Sequence, residues 1–183
     1  IIGTYIDGYG CPGMSRIEAG LVAREMGRID GSVNTFLGVH SNLCMGSIYI
    51  LGGEEQRQRW LPAMAALEKT GAFALTEPTH GSDSVSLETS ARRDGDEGVI
   101  TGHKRWIGNG HAADVIVLYA RDESDGEVKA FVVEKQGDGS YPRGYEPTVI
   151  PGKIGKRAIL QADIVIDGLL SLIHISEPTR RYA

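Results

Sequence analysis

The chain has few of the residues that staple a fold or carry it through a membrane. Two cysteines in 183 residues, Cys11 and Cys44, are too few for a disulfide framework and favour a reducing compartment. Aromatic residues make up only 7%, and no apolar run approaches the roughly 20 residues of a membrane helix. Basic stripes are missing too. The net charge of −5 is spread over short clusters, which argues against nucleic acid or anionic lipid as a partner. No His, Cys or acidic spacing reads as a metal site. Neither Met nor a signal-like segment stands at Ile1, so a fragment is expected and targeting is not legible.

What is present is enough for a core in one or two domains, with 41% hydrophobic and 23% charged residues. The first third reads as helical. Ser15 and Glu18 make a capping box, and Val22, Met26 and Ile29 share one stripe up to Asp30-Gly31. A second helix, 32–51, carries Phe36, Val39, Leu43 and Ile50 on one face and Leu37, Cys44, Ile48 and Leu51 on another, the pattern of a helix buried all round. His40 on it reads as a hydrogen-bonded core histidine. Gly52-Gly53 ends this helix, Glu54-Glu55 opens a third, and Pro62 limits its straight continuation. Gly8-Tyr-Gly-Cys-Pro-Gly13 spells a G-x-G-x-x-G with Asp30 twenty residues after Gly10. A dinucleotide fold would need a second strand ending at Asp30, where a helix ends instead.

After Gly71 the period changes to that of strands. Runs at 87–93, 99–106, 115–121, 128–134 and 159–166 are separated by turns such as Asp94-Gly-Asp-Glu-Gly98. The fold class is therefore α+β, with the end of a helical domain (1–71) followed by an antiparallel β-barrel or sandwich (72–170).

Ala72-Phe-Ala-Leu-Thr-Glu-Pro-Thr-His-Gly-Ser-Asp83 reads as a buried strand opening into a tight polar loop. Gly81 permits close approach and positive φ, Thr76 and Ser82 supply hydroxyls, and loop amides can hold an anion. Lys104-Arg-Trp-Ile-Gly-Asn109 adds a flat apolar ring at a second strand end. Donors for a heterocycle's edge and a ring against its plane are what a flavin site requires.

These two segments resemble the signatures of the acyl-CoA dehydrogenase and oxidase family, in family order and spacing. Tyr9-Gly-Cys-Pro-Gly-Met-Ser15, Gly53-Glu-Glu-Gln-Arg-Gln-Arg-Trp-Leu-Pro62 and Ile150-Pro-Gly-Lys-Ile-Gly-Lys-Arg157 extend the likeness from about Tyr9 to Gly168. It is similar above all to the glutaryl-CoA dehydrogenase and short-chain acyl-CoA oxidase branch. The resemblance implies FAD, held by Phe73, Leu75, Thr76, Gly81, Ser82, Trp106, Ile107 and Gly108. It also implies α,β-desaturation of a short- to medium-chain acyl-CoA met by Ser82, Asn34 and Thr35. Electrons would pass to an electron-transfer flavoprotein or to oxygen, and the full-length protein would be a homotetramer. A bacterial protein would be cytoplasmic, a eukaryotic one mitochondrial or peroxisomal. A catalytically silent flavin- or acyl-CoA-binding module would carry the same motifs.

The family's catalytic glutamate belongs to a C-terminal helical domain, and Glu77 is a poor substitute by its place in the motif. Asn34 and Gly38 stand where glutaryl-CoA dehydrogenases use arginine and serine for a distal carboxylate, which favours a neutral acyl chain. Gly108 stands where many dehydrogenases have threonine, a change that could widen access to oxygen. After Gly168 the likeness stops, and 171–183 is read as a non-native tail.

Overall fold

A computed structural model describes residues 1–94 and 97–171, so the expected tail beyond Ser171 and the tip of the 94–98 turn lie outside the described residues. Helix α1 (Arg16–Ile29) starts at the capping box: Ser15 Oγ accepts from Glu18 N–H at 3.3 Å, and Ser15 N–H donates to the Glu18 carboxylate at 2.8 Å. Asp30 then caps α2 (Gly31–Leu37) by accepting from Ser32 and Val33 N–H. The predicted helix 32–51 is continuous but not uniform. A π-helical stretch (Gly38–Met45) separates α2 from α3 (Gly46–Leu51). Nor is it buried all round: His40, Ser41, Cys44, Met45 and Ile48 are enclosed, whereas Leu43 and Ile50 are exposed. Helix α4 (Glu54–Ala65) runs a turn past Pro62, contrary to expectation. Proline removes one amide donor, but its own carbonyl still accepts from Ala66 N–H at 3.1 Å.

Residues 1–15 form turns, and no strand precedes Gly8-Tyr-Gly-Cys-Pro-Gly13 among the described residues. The G-x-G-x-x-G there is thus a turn sequence with left-handed φ at all three glycines.

Seven strands follow: β1 (Gly71–Ala74), β2 (Ser90–Asp94), β3 (Glu97–Gly108), β4 (Val115–Asp122), β5 (Val128–Glu134), β6 (Tyr145–Val149) and β7 (Gln161–Ser171). Their order is β1-β4-β2-β3-β7-β6, with β5 also on β4. The sheet is sandwich-like and does not close into a barrel. It is mixed, which corrects the antiparallel expectation: β1 and β2 both lie parallel to β4. The chain continues along one edge of β4, with 71–74 beside 115–118 and 90–91 beside 121–122, so both segments run in the direction of β4, while β5 takes its other edge. Strand β6 escaped the sequence reading because Pro147 and Glu146 break its pattern; it sits at the edge of the sheet, where proline is tolerated.

Strand β4 organises the packing. Val115 and Val117 face the helices with Cys44, Met45, Ile48, Trp60, Leu61 and Met64. Ile116, Leu118 and Ala120 face the other core, with Phe131, Ile100 and Ile164. Burial on both faces explains why β4 reads as a continuous apolar run. The helices reach the sheet closely because Gly71 has no side chain: a Cβ there would meet Cys44 Sγ and Met64 Cε at 2.8 Å. His40 locks the same junction. Its Nδ1 accepts from Gly71 N–H at 2.9 Å, which leaves Nε2–H to donate to Met64 O at 3.0 Å. Burial lowers its pKa and keeps it neutral.

Candidate functional site

The two motif segments meet at the ends of β1 and β3. Arg105 N–H donates to Thr76 O at 2.9 Å, tying the end of the first strand to the residue beside Trp106. Strand β3 slips register against β7 between Lys104 and Ile107, and Trp106 occupies the bulge with φ of +63°. A left-handed tryptophan costs on the order of 1–3 kcal/mol, so the surrounding structure must hold it there. The residue is 50% exposed. The other tryptophan is enclosed: Trp60 is fully buried and donates Nε1–H to Glu134 at 3.2 Å, though it too has an arginine near its ring, with the Arg59 guanidinium carbon 5.2 Å from the centre.

A buried ion pair underlies this junction. Lys104 and Glu77 are both almost without exposure, and Nζ lies 2.8 Å from the carboxylate and 3.1 Å from Leu75 O. The carboxylate also accepts from Glu88 and Thr89 N–H at 2.6 and 2.9 Å. Burial alone would raise the Glu77 pKa, but these donors, led by Lys104, outweigh it and hold it at about 2. Burial pulls the Lys104 pKa down, offset in part by Glu77. An acid held so low and already surrounded by donors is a structural counter-ion, not a proton-abstracting base. Glu77, His80 and Glu88 place three ligand-type atoms within 4.8 Å, but Lys104 already neutralises Glu77 and the group carries no argument for a cation.

The predicted site residues fall into two sets. Leu75 and Thr76 are half-buried directly after β1, while Ile107 and Gly108 are buried at the end of β3. Phe73 lies within β1, its ring centroid 5.1 Å from that of Tyr119. Gly81 and Ser82 are exposed in the loop; Gly81 does not adopt positive φ, which corrects that expectation, and the space at its Cβ position is open. Asn34 and Thr35 sit apart on α2, where Thr35 Oγ donates to Gly31 O at 2.8 Å. Asn34 and Gly38 line a crevice of about 150 Å³ against α1, with Val22, Leu37 and Ser41. Val39 bridges the two sets: a Cβ on Gly108 would meet its Cγ2 at 3.4 Å and Ile159 Cδ1 at 3.3 Å. The space vacated at Gly108 is therefore bounded by two apolar side chains.

Sequence reasoning missed the inward lysine, the His40 clamp's partners and an ion pair beside Trp106. Arg105 Nη1 lies 2.9 Å from the Asp163 carboxylate, and His103 Nε2 meets the same carboxylate. A signal for Lys104 existed, since it falls two and four residues after Gly102 and the buried Ile100 on the inward phase of β3.

The class that these halves define is a helical layer packed on a mixed β domain, and comparison with known proteins bears on both. Residues 1–68 match the model of the acyl-CoA dehydrogenase N-terminal domain, and residues 72–169 that of the acyl-CoA dehydrogenase middle domain. The chain belongs to the acyl-CoA dehydrogenase family. It is 43% identical over 115 residues to mitochondrial isovaleryl-CoA dehydrogenase of Bos taurus, covering 63% of this chain and 27% of that protein. With a probable acyl-CoA dehydrogenase of Bacillus subtilis the identity is 37% over 169 residues, 90% of this chain and 28% of the relative. Glutaryl-CoA dehydrogenase of Mycobacterium smegmatis in complex with FADH2 superposes with a TM-score of 0.89 at 34% identity, over 96% of this chain and 44% of that one. The chain thus spans well under half the length of these relatives.

Proposed function

We propose that the protein of which this chain is part is an FAD-dependent acyl-CoA dehydrogenase acting on a neutral short- to medium-chain acyl-CoA. Residues 1–71 are the end of its helical domain, 72–170 its flavin-binding β domain, and 171–183 a non-native tail. The observation that carries the reading is the junction of the two motif segments: the Thr76–Arg105 hydrogen bond beside a half-exposed, left-handed Trp106. So large an apolar ring at a strand end suits a planar heterocycle. Leu75 and Thr76 would meet the flavin's edge, Trp106 would pack against its plane, Phe73, Ile107 and Gly108 would complete the wall, and Ser82, beside Gly81, would lie near the pyrophosphate and CoA. A bound flavin would accept the substrate's β-hydrogen as hydride. The residues of this chain bind and orient, and the α-proton needs a carboxylate tuned near the α-carbon from the remainder of the protein, because Glu77 is held ionised by Lys104.

Cofactor extraction and an absorption spectrum test this directly. The full-length protein should purify yellow with one FAD per subunit, and Trp106→Ala should lower that occupancy; a colourless protein that takes up no FAD ends the reading. Asn34, Thr35 and Gly38 offer no charged partner to the acyl end, and no charged side chain lines their crevice among the described residues. Butyryl-CoA should therefore bleach the flavin faster than glutaryl-CoA, by roughly the 1.5–3 kcal/mol of a charged hydrogen bond. Faster bleaching by glutaryl-CoA would overturn the assignment of Asn34 and Gly38. Electron-transfer flavoprotein or oxygen is the expected acceptor and the homotetramer the expected assembly; anaerobic against aerobic turnover and light scattering test each.

A further inference from the structure

Trp106 is held from one side by its motif neighbour Arg105, which pairs with Asp163, a residue outside both motif segments. The Arg105 guanidinium carbon lies 5.3 Å from the centre of the Trp106 ring. Arg105 is itself fixed twice, by its backbone N–H on Thr76 O and by its side chain on Asp163 of β7. Asp163 is only 23% exposed and is engaged a second time by His103, two residues before Arg105. Strand, bulge and neighbouring strand thus converge on the guanidinium. The residue nevertheless stays half exposed, so the cation covers part of the ring and leaves area free.

We infer that Arg105 and Asp163 are positioning residues for the flavin site, holding Trp106 with one face on the guanidinium and the other presented to a planar ligand. The inference rests on the reading above of Trp106 as a flavin-packing residue. Its physical basis is general. An aromatic ring in a bulge with left-handed φ lacks the strand ladder that normally fixes a side chain's direction. A guanidinium over the ring face attracts it through the quadrupole, and a planar fork pinned by a carboxylate cannot drift from it. Asparagine at 163 would keep the shape and remove the charge that anchors the fork. Lysine at 105 would keep the charge and lose the planar geometry.

The test uses the full-length protein, stripped of flavin and then reconstituted, in wild-type, Arg105→Met, Arg105→Lys and Asp163→Asn forms. Acrylamide quenching of tryptophan emission in the flavin-free protein is read as the difference between each form and the same form carrying Trp106→Phe, so that the fully buried Trp60 and every tryptophan outside this chain cancel. Arg105→Met and Asp163→Asn should raise the quenching constant and weaken FAD binding about two- to fivefold, the size of an exposed cation–π contact. Arg105→Lys should recover part of both. Quenching and FAD affinity unchanged in both Arg105→Met and Asp163→Asn would overturn the inference, as would quenching that rises in Arg105→Met alone. Wild-type protein that binds no FAD would instead defeat the functional reading, and the quenching comparison would still decide the positioning role.

Discussion

Strand β4 and helix α1 are both rich in apolar residues, yet they end in opposite environments. Val115 to Leu118 are without exposure, packed on both faces, whereas α1 has no buried residue and leaves Ile17, Leu21 and Ile29 at 77%, 47% and 81% exposure. The sheet finds its partners within the chain. The helix presents a surface whose partners would have to come from elsewhere, in a chain spanning only 27% and 28% of the relatives compared. Apolar content alone therefore does not tell which half is self-sufficient; contacts do. The sheet should be sensitive to single changes and the outer helix indifferent, and three experiments on the full-length protein and on this chain sharpen or break that contrast.

The largest effect is expected at the buried pair. Lys104→Met leaves the Glu77 carboxylate enclosed without its cation, and breaking such a pair costs about 3–5 kcal/mol. Chemical denaturation of the full-length protein at neutral pH should record it. Adding Glu77→Gln should restore a large part, because an apolar or neutral substitute carries no stranded charge. The pH dependence has a definite sign. Glu77 binds its proton less readily folded than unfolded, so its stabilisation is complete above the ordinary value of 4.5 and disappears as pH falls through about 2. A wild-type protein whose stability is flat across that window, or a Lys104→Met variant as stable as wild type, would break the claim that the motif junction depends on this pair.

His40 comes next, because it joins the two regions being compared. Removing it in His40→Ala strands Gly71 N–H and Met64 O, and each unpaired buried group costs about 1–3 kcal/mol. A loss of roughly 2–6 kcal/mol is expected from the two groups together, smaller in His40→Gln, which can still reach one partner. The folded state resists protonation of His40, so the unfolded chain binds more protons below the ordinary value of 6.5. Stability should fall as pH drops below that value in wild type and fall less in His40→Gln. Equal slopes in both would remove His40 from the pH account.

How much of this was legible beforehand differs by element. The switch from helix to strand after Gly71 and the Ser15–Glu18 cap follow from local pattern and turn chemistry, whereas the approach of the segment ending at Thr76 to the one holding Arg105 and Trp106 was expected only from the family resemblance. The π-helical stretch was not legible, because nothing in the local residue pattern marks the change from α- to π-type hydrogen bonding. The parallel pairing of β1 and β2 with β4 was hidden for a similar reason: alternation reports which face a residue occupies, not which neighbour a strand has. Trp106 and Thr76 were picked out as candidates by the resemblance, whereas nothing in the sequence pointed to Asp163. It lies 58 positions after Arg105 on a strand whose pattern marks it only as outward-facing.

The smallest effect is expected on α1, and it is the one that tests the contrast most directly. Ile29 is 81% exposed in this chain, on the stripe that Val22 and Met26 only half bury. Ile29→Lys removes almost no contact here, and surface changes of this sort stay within about 0.5 kcal/mol. The same substitution in the full-length protein has a different reference. If further helices cover the stripe, the lysine is placed in an apolar contact, and the loss should approach the roughly 1.5–3 kcal/mol of a buried isoleucine. The isolated chain should become more soluble with Ile29→Lys, because an exposed apolar side chain is replaced by a charge. Denaturation of both proteins in parallel gives the comparison. Equal, negligible losses would mean that the stripe stays open in the full-length protein. A large loss in the isolated chain would mean that α1 is better packed than its exposure indicates, and the division into a self-sufficient sheet and a dependent helix would fail.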